Sequence, residues 1–269
     1  MKTYKIIDES SGSAAIAILC FFEKSRTFAI EISPEIPPSE LPIFFAGFAE
    51  KGILSPDMEW SERWVRERIV PEDRQNLGSI LRDNNLGEYD IMKLLIKSDG
   101  RSAQDDCAII GVNQADLPLW FAERQSKKIR MVAPFSDFRI LLSFYDGRAA
   151  IVDLSERVHE DRKFMILEHD GQLFDAVEVQ PGGNGICWND WLHMSAAELY
   201  DEGSTLAITA DEIDNMIERE LMDTQAVCEE LNCSRQYIDK LVREGTLPTV
   251  RATGKSRLYH RSDVKRLKW

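Results

Sequence analysis

Near its C-terminal end the chain sets two short helical patterns on either side of Asn232-Cys233-Ser234. That spacing constrains the fold more than any other stretch of its 269 residues. Asp223 stands where a carboxylate can cap a first helix holding Val227, Cys228 and Leu231. Asparagine is among the few non-glycine residues that accept a left-handed backbone, so Asn232 can turn the chain sharply. Ser234 is placed to cap a second helix, in which Ile238, Leu241 and Val242 fall at i, i+3 and i+4 and form a buried stripe. Gly245 ends that helix. Residues 247–251 then read as a strand, Thr253-Gly254-Lys255 as a tip and Arg257-Leu258-Tyr259 as the return strand. Asp263, Val264 and Leu267 belong to a closing helix.

Charge follows the same division. The chain as a whole carries −13, yet residues 222–269 hold ten Lys/Arg against six Asp/Glu, while the rest holds 23 against 40. An acidic body therefore ends in a locally basic segment, the distribution expected of a small module that meets a polyanion. Opposite the apolar stripe of the second helix lie Gln236, Lys240 and Arg243, with Arg235 and Tyr237 on its flanks near the N-terminus. Arg and Gln can make paired hydrogen bonds to guanine and adenine edges, and Lys neutralises phosphate.

This segment resembles the excisionase/MerR-type winged helix-turn-helix, over less than a fifth of the chain. The resemblance implies a DNA-binding role in which the second helix, with Ser234, Arg235, Gln236, Tyr237, Lys240 and Arg243, enters the major groove. It also implies a wing whose Arg251, Lys255 and Arg257 touch the phosphate backbone or the minor groove. Two positions depart from the pattern: Ala226 stands where the family often has glutamate, and Cys228 where it usually has alanine. Double-stranded DNA is the expected partner. A homodimer is expected too, because single modules of this kind bind short half-sites weakly.

Upstream, residues 4–7, 16–22 and 27–32 read as strands, ended by Pro34, Pro37 and Pro38. Helical patterns follow: one capped by Ser39 through Leu41, Phe44, Phe45 and Phe48; a second on Trp60, Trp64, Val65 and Arg68, ended by Pro71; a third on Leu77, Ile80, Leu81 and Leu86; a fourth over residues 89–96. Between Trp64 and Asp106 the Arg and Asp residues are expected to form internal salt bridges, with a partner-binding or ligand-sensing surface as the alternative. Residues 128–202 read as β-rich. Asp146-Gly147 joins two apolar runs as a hairpin, residues 173–179 alternate as a strand, and Ser195 opens a short helix. The pattern from Phe138 to Tyr200 resembles a small bacterial α+β domain of unknown function, commonly joined to or encoded beside helix-turn-helix regulators and toxin–antitoxin-like genes. Thr209 and Glu212 form a capping box before a connector helix with Ile213, Met216, Ile217 and Leu221 on one side.

The expectation is thus a multidomain α+β protein: an N-terminal α+β domain over 1–122, a small β-rich domain over 123–203, a connector helix over 204–221 and a winged helix-turn-helix over 222–269. Catalytic residues, cofactor-binding residues and metal ligands are all expected to be absent. The five cysteines form no CxxC pair, and the four histidines lie apart from them. Gly254-Lys255-Ser256 lacks the earlier glycine of a phosphate loop, since position 249 is Thr. No apolar run approaches the roughly 18 residues of a membrane helix, and a cytoplasmic location is expected. The functional expectation is a bacterial or phage transcriptional regulator, antitoxin-like by its company. The alternative is an interaction adaptor whose acidic body binds a protein partner and whose helix-turn-helix is vestigial.

Overall fold

The computed structural model describes all residues except Ser13, 205–209 and 254–255, together with the side chains of 210–214. The fold is multidomain α+β. Two compact units divide it, Met1–Arg124 and Gln125–Trp269. Among the described residues no helix is long and apolar enough to cross a membrane.

In the first unit, β1 (Lys2–Asp8), β2 (Ala15–Phe22), β3 (Thr27–Ile32) and β4 (Cys107–Gly111) form an antiparallel sheet in the order β3-β2-β1-β4. The apolar run at residues 14–22 becomes β2, a central strand. It shows no alternation because both of its faces are covered. Ala17, Leu19 and Phe21 pack into a core with Phe45, Trp64, Val65 and Leu95, while Ile18, Cys20 and Phe22 pack with Trp120 and Phe121. Those partners come from α1 (Ile43–Ala49), α2 (Met58–Arg66), α4 (Ile91–Lys97) and α5 (Leu119–Ser126); α3 (Leu77–Asp83) contributes no fully buried residue.

Two boundaries differ from the sequence reading. Ser39 lies in a 3-10 turn, Pro38–Glu40, and α1 starts after Pro42, whose fixed φ leads into a helix without any side-chain cap. The fourth helix begins only after Asp90, whose carboxylate accepts from the Lys93 N–H at 3.0 Å, so Tyr89 precedes it. The expected internal ion pairs are present. Arg68 is buried, stacks over the Trp64 ring at 3.7 Å, donates to the Trp64 carbonyl at 3.0 Å and pairs with Asp105.

The second unit opens with a small sheet of β5 (Ile129–Pro134), β6 (Arg139–Phe144) and β7 (Ala149–Asp153), joined at Asp146-Gly147 by the predicted hairpin. Gly147 takes φ 90° there. Helices α6 (Ser155–Glu160), α7 (Ile166–His169), α8 (Gly171–Asp175) and α9 (Ala196–Glu202) and a second sheet, β8 (Glu178–Val179), β9 (Gly185–Cys187) and β10 (His193–Ser195), enclose one core around Ile140, Leu142, Phe144, Phe174, Ile186 and Leu199.

Residues 173–179 are therefore not one strand. Asp170 accepts from the Leu173 N–H at 2.9 Å and starts a helical turn, which leaves only two residues to pair as β8. Ser195 caps α9 as expected, accepting from the Glu198 N–H at 3.2 Å. The glycine cluster makes a tight passage: a Cβ on Gly183 would meet the Ile129 carbonyl oxygen at 2.3 Å, and its φ is 72°.

The connector helix α10 spans Ala210–Glu220. The Thr209–Glu212 capping box and the Ile213 side chain lie outside the described residues. Met216 packs on the second face of the β5-β6-β7 sheet, against the group of Ala133, Phe135, Leu141 and Ile151, whereas Ile217 is exposed. Leu221 is not on the helix. It begins β11 (Leu221–Asp223), which pairs with a strand nearly forty residues later.

Candidate nucleic-acid interface

The last segment is built on two side-chain caps and one left-handed residue. Asp223 accepts from the Ala226 N–H at 2.8 Å and starts α11 (Thr224–Leu231). Asn232 takes φ 47°, ψ 52°, so that the Cys233 N–H returns to the Cys228 carbonyl at 3.0 Å and the chain turns. Ser234 accepts from the Tyr237 N–H at 3.4 Å and starts α12 (Arg235–Arg243). Gly245, at φ 70°, lets both the Thr246 and Leu247 N–H groups bond the Leu241 carbonyl, and this drops Leu247 into the core.

That bonding also explains a difference from the sequence reading. The 247 N–H is spent on the end of α12, so residues 247–250 form no strand, and β12 spans Arg251–Thr253. β13 (Ser256–His260) pairs with β12 on one side and β11 on the other, in the order β11-β13-β12, and α13 (Arg261–Arg266) closes the segment.

The core of this segment is small: Met222, Val227, Ile238, Leu241, Leu247, Tyr259 and Val264 are buried, with Val242 half-buried beside them. Ile238 and Leu241 point α12 inward by one stripe, so its other faces stand free. Ser234, Arg235, Gln236, Tyr237, Lys240 and Arg243 are all exposed. Of the hairpin residues, Arg251 is exposed and its Nε donates to the Thr253 hydroxyl at 3.2 Å. Arg257 is half-buried, and Lys255 lies outside the described residues.

The structure brings the helix and the hairpin together through Asp239. Asp239 stands four residues before Arg243, the spacing of an ion pair along one helix face. Instead Arg243 Nε donates to the Asp239 backbone carbonyl at 3.2 Å, and the Asp239 carboxylate pairs with Arg257 across 18 residues. A carboxylate thus sits in the middle of the basic polar face. Its position three residues after Gln236 and four before Arg243 was the available signal. Lys240 lies 3.8 Å from Glu244, a loose exposed pair that leaves its ammonium available.

The remaining basic residues are used elsewhere. Lys265 pairs with Glu178, Arg266 pairs with Asp263 and stacks over Tyr145 at 5.3 Å, and Lys268 pairs with Glu230 at 2.5 Å. Arg219 pairs with Asp175 at 2.8 Å, and Arg261 Nε donates to the Arg219 carbonyl at 2.8 Å. The segment is therefore attached to the small domain through α13, the connector and β5, with α12 and its exposed basic residues left uncovered by these contacts.

This geometry defines a helix-turn-helix domain of the DNA-binding class. Residues 221–269 match the family model described as a helix-turn-helix domain, and residues 129–205 match that of a protein of unknown function, DUF2442. The chain thus carries an excisionase-like helix-turn-helix at its C-terminal end, preceded by a domain whose role that family leaves open. No curated protein and no solved structure matches the chain.

Proposed function

We propose that this protein is a bacterial or phage transcriptional regulator that reads duplex DNA with α12 and uses the β12–β13 hairpin as a wing on the phosphate backbone, as in the excisionase/MerR type. One observation carries this reading. Arg235, Gln236, Tyr237, Lys240 and Arg243 are exposed together on a helix whose buried stripe and rear attachments are already satisfied. Arg and Gln supply base-edge contacts; Lys240, Arg251, Lys255 and Arg257 supply charge for phosphates. Two copies reading two half-sites would give the affinity one short helix lacks. The acidic body is then the part that receives a signal or a protein partner, an antitoxin-like arrangement being one form of this.

We further propose a binding rather than a catalytic role. Two thiols are poor nucleophiles: burial pushes Cys107 up to about 12 and Cys187 up to about 11, so both stay protonated at neutral pH. The test of the main reading is binding of the full chain to fragments of its own locus against random duplex across a salt series. Preference for one fragment, weakening steeply with salt, is the expected result. Equal and feeble binding to every fragment would overturn it and turn attention to partners of the acidic body.

A further inference from the structure

Where the connector meets the helix-turn-helix segment, a cavity of about 320 Å³ opens between the small domain and α13. Glu220, the last residue of α10, lines it. This side chain is only 6% exposed, and its Oε2 is buried without a hydrogen-bond partner. A buried carboxylate oxygen with no donor is costly to keep. Burial pushes the Glu220 carboxyl up to about 7, although the Arg261 and Lys265 charges pull it back.

The other charged residues of the cavity are mostly committed. Asp175 holds Arg219, and Glu178 holds Lys265. Arg261 is the exception: its Nε bonds the Arg219 carbonyl, and among the described residues its guanidinium forms no ion pair. Pro134, Ala176 and Val177 supply an apolar wall. The cavity therefore offers one uncommitted carboxylate and one uncommitted guanidinium beside apolar surface.

A simple cation would gain Glu220 but meet Arg261 and Lys265. A simple anion would gain Arg261 but meet Glu220. A ligand carrying both charges a few bonds apart satisfies both groups. We propose that this cavity binds a small zwitterion of the α-amino-acid class, its ammonium donating to Glu220 and its carboxylate accepting from Arg261. The site does not depend on whether the neighbouring segment binds DNA, and it is read without DNA.

Binding an ammonium requires Glu220 ionised, so affinity rises as pH climbs through about 7 and levels off above. The groups around it are Asp175 and Glu178 from the small domain, Arg219 on its own helix, and Arg261 and Lys265 on α13. His260, opposite Leu221 across β11–β13, is held below its usual value by burial. Glu220→Gln removes the carboxylate while leaving His260 in place, which separates the two.

The test is calorimetric titration of the full chain with the standard α-amino acids one at a time, with propylamine and propionate as half-ligands. The proposal expects at least one amino acid to bind and each half-ligand to bind at least about tenfold more weakly. It expects Glu220→Gln and Arg261→Gln each to weaken binding by about tenfold or more, and wild-type affinity to rise between about pH 6 and pH 8 while that of Glu220→Gln stays level. Glu220→Gln relieves a buried charge, so it is expected to fold, and circular dichroism checks that. Binding by no amino acid, equal binding of either half-ligand, or unchanged binding by a folded Glu220→Gln would each overturn the site.

Discussion

The four-stranded sheet of the first unit and the three-stranded sheet of the helix-turn-helix segment handle charge in opposite ways. In the first, both faces are covered, β2 is buried along nearly its whole length, and the charges that enter are matched there: Arg68 with Asp105, Arg124 with Glu31. In the second, seven buried apolar residues hold three helices and a hairpin, and the charges of α12 stay outside. A large core can absorb ionic groups if each meets a partner. The small core buries one carboxylate, Asp263 with Arg266 beside it, and leaves the charges of α12 exposed, an arrangement that suits the binding of a polyanion.

The contrast can be broken at its strongest point first. Asp105→Ala leaves the Arg68 guanidinium buried against Trp64 without its partner, and urea unfolding should show a loss of about 3–5 kcal/mol; a change near zero would mean that the first unit tolerates an unmatched charge. Replacing Arg235, Gln236 and Lys240 together by Ala should weaken binding to the preferred fragment about hundredfold, at about 1–3 kcal/mol for each paired base contact. Thermal unfolding should hardly move, because these side chains are exposed; a large fall in midpoint would show that they stabilise the fold instead. Ser234→Ala removes the cap of α12 and should cost about 1 kcal/mol of stability, measured by denaturant midpoint. The smallest effect is expected from Arg257→Ala. It should reduce the dependence of log affinity on log salt by about one, whereas an unchanged slope would place Arg257 away from phosphate and leave Asp239 as its whole role.

What the sequence shows best is what a side chain decides locally. The caps at Asp223 and Ser234 and the left-handed Asn232 lie within three or four residues of the groups they bond, and all three are legible. The Asp146-Gly147 hairpin is legible for the same reason. Strands paired across long separations are not: β4 joins β1 about a hundred residues away, and β11 begins at Leu221, which periodicity assigns to the connector helix. Residues 173–179 mislead because their alternation sets Phe174 and Val177 on opposite faces of a strand, whereas the turn started by the Asp170 cap buries both. In the candidate site, the exposed face of α12 was readable from the spacing of Ile238 and Leu241. The pairing of Asp239 with Arg257 was not, because it depends on how the hairpin folds back.

The attachment of the last segment bears on how any DNA measurement will read. Lys265–Glu178 and Arg219–Asp175 are partly exposed pairs, so added salt screens them in the same sense as a phosphate contact. A titration would then report two ion-dependent events at once: release of counterions from the duplex and loosening of the seam along α13. The first alone gives a straight line of log affinity against log salt. Curvature in that plot would be the thermodynamic trace of the segment coming away from its neighbour, and charge-neutral replacement of Lys265 and Glu178 should straighten it.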